Sequence, residues 1–188
     1  MRVVGGKFGG RALAAPDDRR VRPTSDKVRQ ALFNILEHHD FGDFALEGAR
    51  AIDLFAGTGA LGIEALSRGA RFCLFVDDDA DSRALQRQNV ETLGLTGVSK
   101  IWRRDAADLR PINAGSGGPF ELAFLDPPYR KGLADAALKS LREGGWLAPG
   151  ALLVVETAID ETLAAEGYEK RDERAYGETR VVFLTVAT

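Results

Sequence analysis

A chain of 188 residues with one cysteine, one methionine and two histidines leaves little room for redox or metal chemistry. Cys73 has no partner for an internal disulfide. Its place in Phe72-Cys73-Leu74-Phe75-Val76 marks it as a buried strand residue rather than a nucleophile. His38-His39 closes a helical stretch and reads as a solvated helix end, and no Cys/His spacing fits a zinc site. No apolar run approaches the about 20 residues that span a bilayer. Residues 1–6 lack the apolar core of a signal peptide. A cytoplasmic protein with no membrane partner and no metal is therefore expected, and a monomer.

The composition is that of an ordinary globular protein, 45% apolar and 28% charged, and the length suits one domain with a small appendage. The net charge of −3 conceals an asymmetry. Residues 1–36 hold eight basic groups against three acids, a balance of +5, which leaves −8 on the remainder. A basic arm on an acidic body points to a polyanion met by the arm, with Arg2, Lys7, Arg11, Arg22, Lys27 and Arg29 as its phosphate contacts. The acidity of the body excludes a protein that coats nucleic acid non-specifically.

The arm, residues 1–48, reads as a hairpin or loop punctuated by Gly5-Gly6 and Gly9-Gly10. A helix capped by Thr24 or Ser25 follows, with Val28, Ala31, Leu32, Ile35 and Leu36 at helical spacing. Over residues 49–188, strands near 51–55, 71–76, 99–103, 121–126 and 151–156 alternate with helices over 60–68, 80–93 and 133–143. A short helix is expected at 160–166 and an antiparallel hairpin from 168–174 and 180–187. Residues 115–118 read as an exposed loop. The alternation predicts an α/β fold, a mostly parallel Rossmann-like sheet with helices on both faces. Its ligands would lie beyond the carboxyl ends of the strands.

Two motifs fall at those ends. The first, Asp53-Leu54-Phe55-Ala56-Gly57-Thr58-Gly59-Ala60-Leu61-Gly62, is a glycine turn between strand and helix. Gly57 and Gly59 let a ligand approach the backbone, and Gly62 allows close helix–strand packing. Asp77 follows Gly57 by twenty residues, where a carboxylate accepts ribose hydroxyls. This much fits NAD and S-adenosylmethionine alike. Asp53 tilts the choice to the second, because a carboxylate just before the glycines repels a pyrophosphate and attracts an ammonium. Asp105 supplies a further acid for an adenine amino group. Asp78 and Asp79 leave the ribose register ambiguous, with Asp77 favoured because it directly ends the apolar strand.

The second motif is Asp126-Pro127-Pro128-Tyr129, a rigid extended turn at the end of an apolar strand. An exocyclic base amine is a poor nucleophile because its lone pair is delocalised into the ring. The Asp126 carboxylate and the Pro127 carbonyl form an acceptor pair that holds both amino hydrogens and favours a pyramidal nitrogen. Tyr129 offers a stacking face for an extruded base.

These motifs resemble class I amino-methyltransferases that act on nucleobases. The stretches 2–11, 22–29, 31–36, 55–70 and 126–132 narrow the resemblance to the RsmD family of bacterial small-subunit ribosomal RNA guanine-N2 methyltransferases. The resemblance covers about residues 2 to 185. It implies a seven-stranded sheet, S-adenosylmethionine as methyl donor, and one guanine of 16S rRNA in the small subunit or its assembly precursor as substrate. It would place Asp53, Phe55, Gly57 and Gly59 on the methionine side, Asp77 at the ribose, Asp105 near adenine and 126–129 at the base. Three other readings use parts of the sequence. A DNA adenine-N6 methyltransferase shares the tetrapeptide but leaves little chain for DNA recognition. A nicotinamide oxidoreductase explains only the glycine loop, and a non-enzymatic RNA-binding module explains only the arm.

Overall fold

Five apolar runs separated by helical periodicity build the parallel part of one sheet. The computed structural model describes residues 1–17 and 25–188. Its strands are β1 (Arg50–Leu54), β2 (Phe72–Val76), β3 (Ser99–Trp102), β4 (Phe120–Leu125), β5 (Leu147–Ala158), β6 (Tyr168–Tyr176) and β7 (Thr179–Val186). They pair in the order β3-β2-β1-β4-β5-β7-β6. β1 to β5 run parallel, and β7 joins β5 and β6 antiparallel. The expected mixed sheet with a terminal hairpin is what forms.

Helix α1 (Asp26–His38) starts at Ser25, whose hydroxyl accepts from Val28 N; this is the expected cap. Helices α2 (Ala60–Ser67), α3 (Ala80–Thr92) and α4 (Leu133–Glu143) follow β1, β2 and β4. The strand residues alternate between two cores, one on each face. Ala51, Cys73, Phe75, Leu122, Phe124 and Phe183 meet α1 and α2, whereas Ile52, Leu54, Leu74, Leu125, Val155 and Leu184 meet α4 and Trp146. All eight residues of α2 are buried. Gly62 is what lets this helix lie so close, since a Cβ there would stand 2.5 Å from Phe75 and 2.6 Å from Cys73 Sγ. Cys73 itself is fully buried on β2.

The amino-terminal residues close a small hairpin, with Arg2 bridged to Ala12 and a 3-10 turn at Gly6–Phe8. This hairpin and α1 are welded to the sheet domain. Val3, Leu13, Leu32, Phe33 and Leu36 sit in the same core as β1 and β2. Glu64 of α2, fully buried, accepts from Val4 N at 2.8 Å, Gly5 N at 3.0 Å, Arg29 Nε at 3.3 Å and Arg68 Nε at 2.8 Å.

Two expectations need correction. The helix anticipated at 160–166 is absent; a turn and irregular chain stand there. The Asp135 carboxylate of α4 captures Ala164 N at 3.1 Å and Ala165 N at 2.8 Å, and Ala165 turns left-handed at φ +48°. A distant acceptor thus takes the amides that a helix would have used. The 115–118 loop is also less exposed than expected, because Ser116 is fully buried and accepts from Gly118 N.

Candidate active site at the carboxyl ends of the parallel strands

The parallel pairing carries Asp53, Asp77 and Asp126 to one end of the sheet. Three bonds beyond the strands tie that end together. Ala56 N donates to Val76 O at 3.2 Å, Asp77 N to Trp102 O at 3.2 Å and Asp126 N to Leu54 O at 3.5 Å. The chain leaves β1 through Phe55, whose φ of +56° is unusual for a bulky side chain, and then through Gly57 at the same φ. A left-handed phenylalanine costs about 1–3 kcal/mol and persists only where its surroundings enforce it.

Asp77 braces this loop. Its carboxylate accepts from Gly57 N at 2.9 Å and from Asp79 N at 3.0 Å. Asp79 instead caps α3 through Ser82, and Asp78 is exposed. Only Asp77 of the three therefore faces the glycine turn through its side chain. Asp53 is 1% exposed, and one of its oxygens accepts from Gly62 N at 3.0 Å, which anchors the start of α2. Burial, with the charge of Asp77 adding to it, pushes Asp53 up to about 8 against the lowering effect of that bond. A cation beside it would reverse that shift. Asp105 is exposed in the loop after β3, where its carboxylate accepts from Ala107 N at 2.9 Å.

Two residues on α3 that the sequence reading passed over complete the loop. Gln86 and Asn89, three residues apart on one helix face, are both buried. Gln86 Nε2 donates to Gly57 O at 2.9 Å, while Asn89 Nδ2 donates to Thr58 O at 3.0 Å and to Ala14 O at 3.1 Å. Among the described residues Gln86 Oε1 is buried without a hydrogen-bond donor. Their i, i+3 spacing toward a glycine loop was the available signal.

At the end of β4, Pro127 is buried and Pro128 exposed. Register places Leu125 beside Val155, so Asp126 and Glu156 leave adjacent strands side by side. Burial first, then the Glu156 charge and Asp53, hold Asp126 well above the usual carboxylate range. Tyr129 Oη donates to Glu156 at 3.2 Å and lies 3.0 Å from Thr179 Oγ1. Burial chiefly, then nearby Glu156 and Asp126, push the phenol up to about 12, so it remains a donor. Glu156 and Thr179 were not singled out in the sequence.

Along the basic arm, Arg2, Lys7, Arg11 and Lys27 are exposed. Arg22 lies outside the described residues. Arg29 must be withdrawn as an RNA contact: its side chain is fully buried, paired with Asp26 at 2.6 Å and Glu64 at 3.3 Å, and bonded to the Arg2 carbonyl.

A family model described as "Conserved hypothetical protein 95" matches residues 1–185. The ribosomal RNA small subunit methyltransferase D of Escherichia coli is 36% identical over 165 residues, 87% of this chain and 77% of that one. The Haemophilus influenzae protein of the same name is 34% identical, across 87% and 81%. The chain belongs to the RsmD family. The solved structure of a protein described as a methyltransferase, yhhF from Escherichia coli, superposes with a TM-score of 0.80 at 28% identity, covering 100% of this chain and 98% of that one. The fold is that of the class I methyltransferases, and this RsmD chain is a methyltransferase.

Proposed function

We propose that the protein transfers a methyl group from S-adenosylmethionine to the exocyclic N2 of one guanine in 16S rRNA, within the small ribosomal subunit or its precursor. The juxtaposition of Asp126-Pro127 with the Asp53–Gly57 loop at one end of the sheet carries this reading. The printed names of the relatives support the ribosomal substrate. A DNA adenine-N6 activity is not favoured by them.

The residues fit the cofactor by their chemistry. Asp53 is a buried carboxylate in want of a cation, and a methionine ammonium supplies one. Asp77 retains lone pairs for ribose hydroxyls, Phe55, Gly57 and Gly59 bring backbone close, and Gln86 Oε1 is a buried acceptor awaiting a donor. Asp105 stands near the adenine end. When bound, the group supplies a methyl made electrophilic by a sulfonium. The protein's part is to hold the amine: the Asp126 carboxylate and Pro127 carbonyl fix its two hydrogens, aim the lone pair, and face the charge that builds on nitrogen. With the methyl's bond to sulfur broken as its bond to nitrogen forms, leaving a neutral thioether, Asp126 would take the surplus proton of the nitrogen. Tyr129 lines the base pocket. Arg2, Lys7, Arg11, Lys27 and Arg22 position the RNA through its phosphates without reading sequence.

The test is methyl transfer from labelled S-adenosylmethionine to undermodified small subunits, naked ribosomal RNA and duplex DNA, with the nucleosides resolved by mass spectrometry. N2-methylguanosine from the ribosomal substrates is expected; N6-methyladenosine from DNA overturns the substrate.

Asp53 yields a second expectation. Its raised pKa leaves it protonated at pH 7 in the unliganded protein. An ammonium alongside favours the ionised form, so S-adenosylhomocysteine binding at pH 7 should expel close to one proton. Titration calorimetry in buffers of different ionisation enthalpy measures that release, and Asp53→Asn should abolish it. Equal release by the variant sinks the ammonium assignment.

A further inference from the structure

Glu156 has no role in the reaction as derived so far, yet it occupies its centre. It lies near the end of β5 beside Asp126, which follows β4, and it receives the Tyr129 hydroxyl at 3.2 Å. Thr179 at the start of β7 stands 3.0 Å from the same hydroxyl, so the phenol is held between them. Glu156 is itself half-exposed, at the open end of the sheet. The pocket thus presents two adjacent carboxyls, of which amine chemistry needs one.

A second acceptor beside the first has a use set by purine chemistry. On the Watson–Crick edge of guanine the amino group at C2 adjoins N1–H, so two neighbouring groups donate. On adenine the amino group at C6 adjoins N1 with a lone pair and no hydrogen. A guanine whose amine is held by Asp126 turns either N1–H or the N3 lone pair to the neighbouring position, and only N1–H suits a carboxylate.

We propose that Glu156 is the specificity-determining residue of the base pocket, accepting N1–H and so admitting guanine while rejecting purines whose N1 carries only a lone pair. This rests on the reading of the site as a guanine-N2 methyltransferase. Asp126 and Glu156 stand side by side at the ends of β4 and β5, two acceptors for two donors. Guanine brings two adjacent N–H donors to them. Adenine brings one donor and a lone pair, which faces a carboxylate oxygen. The Tyr129 hydrogen bond fixes the direction of the Glu156 carboxyl, which sharpens the rejection. A site built around a polar partner rejects analogues lacking it far more strongly than an apolar pocket rejects a change of size.

The test uses a base that keeps the C2 amine and loses only what Glu156 would read. Small subunits reconstituted with 2-aminopurine at the methylated guanine offer the amine with an N1 lone pair. Wild-type enzyme should prefer guanine by about 100-fold in kcat/KM, on the scale of one well-formed base-reading pair. Glu156→Gln should bring the two substrates to within about tenfold, because a carboxamide presents either its oxygen to N1–H or its NH2 to the lone pair. The missing O6 of 2-aminopurine affects both enzymes alike and cancels in the comparison. S-adenosylhomocysteine affinity within threefold of wild type certifies the fold of the variant. If that affinity is lost, Glu156→Asp, which keeps the charge but withdraws it, should lower turnover on guanine and keep the preference. An unchanged preference in Glu156→Gln, or a loss of preference in Glu156→Asp, overturns the assignment. Wild-type enzyme that methylates neither base overturns the guanine reading itself, and a wild type that uses both equally overturns only the role of Glu156.

Discussion

Asp126→Ala is expected to lower kcat for methyl transfer by about 10²–10⁴-fold, the range that a positioned proton acceptor or a fixed charge contributes. The affinity for S-adenosylhomocysteine should change less than threefold, because Asp126 touches the amine and not the cofactor loop. Asp126→Asn should lose less, since its carbonyl still accepts one amino hydrogen while the charge is gone. The pH profile follows from the same group. Asp126 sits well above the usual carboxylate range, so its ionised fraction, and with it kcat/KM, grows as pH rises through that elevated value. Removing the Glu156 charge in Glu156→Gln should move this limb to lower pH, because that charge is one cause of the elevation. Single-turnover assays with saturating cofactor give both numbers. Residual turnover near wild type in Asp126→Ala would falsify the role given to its carboxylate.

The second large effect concerns stability. Glu64→Ala removes a fully buried acceptor that serves two backbone amides and two guanidinium groups. Both Glu64 and Arg29 side chains are fully buried. Removing Glu64 strips Arg29 of one buried partner and leaves Asp26 and the Arg2 carbonyl among those described. Breaking a buried pair in this way costs about 3–5 kcal/mol. For a protein of this size that corresponds to a fall in Tm of roughly 6–20 °C. Glu64→Gln keeps the acceptor oxygen and should lose about half as much. Denaturant unfolding checks the magnitude, and hydrogen exchange at Val4 and Gly5 should accelerate before the sheet amides do. A loss under about 1 kcal/mol would mean that the hairpin is held by Val3 and Leu13 rather than by Glu64.

The sheet, its helices and the two motifs were legible because each rests on local pattern. Continuous apolar runs mark β1, β2, β4 and β7, helical spacing marks α1 and α4, and Gly62 is forced by Phe75 and Cys73 across from it. What escaped depends on partners far along the chain. Arg29 was counted with the basic arm by charge, yet it lies on the stripe of Leu32, Phe33 and Leu36, at i+3, i+4 and i+7. That spacing is a sign of burial, and burial requires the acid that α2 supplies 35 residues later. The stretch at 160–166 has helical composition but loses two amides to Asp135. Glu156 is the fourth carboxylate at an apolar strand run, after Asp53, Asp77 and Asp126. Only the pairing of β4 with β5 turns it from a strand-end acid into a neighbour of Asp126.

The seven-stranded sheet has an open margin at β6, where six consecutive charged residues, Glu169 to Arg174, occupy the strand and Lys170/Asp172 interrupts its register with β7. A free strand edge is a template on which a second chain adds by backbone pairing. Here any such addition must bring a foreign strand against alternating lysine, arginine, aspartate and glutamate, several already engaged with one another, as Arg174 is with Asp172 at 2.9 Å. The irregular register also breaks the even spacing of amides that an incoming strand would need. The hairpin that completes the sheet therefore doubles as its guard against end-to-end fibre growth, and apolar replacements along 169–174 are where that protection would be lost.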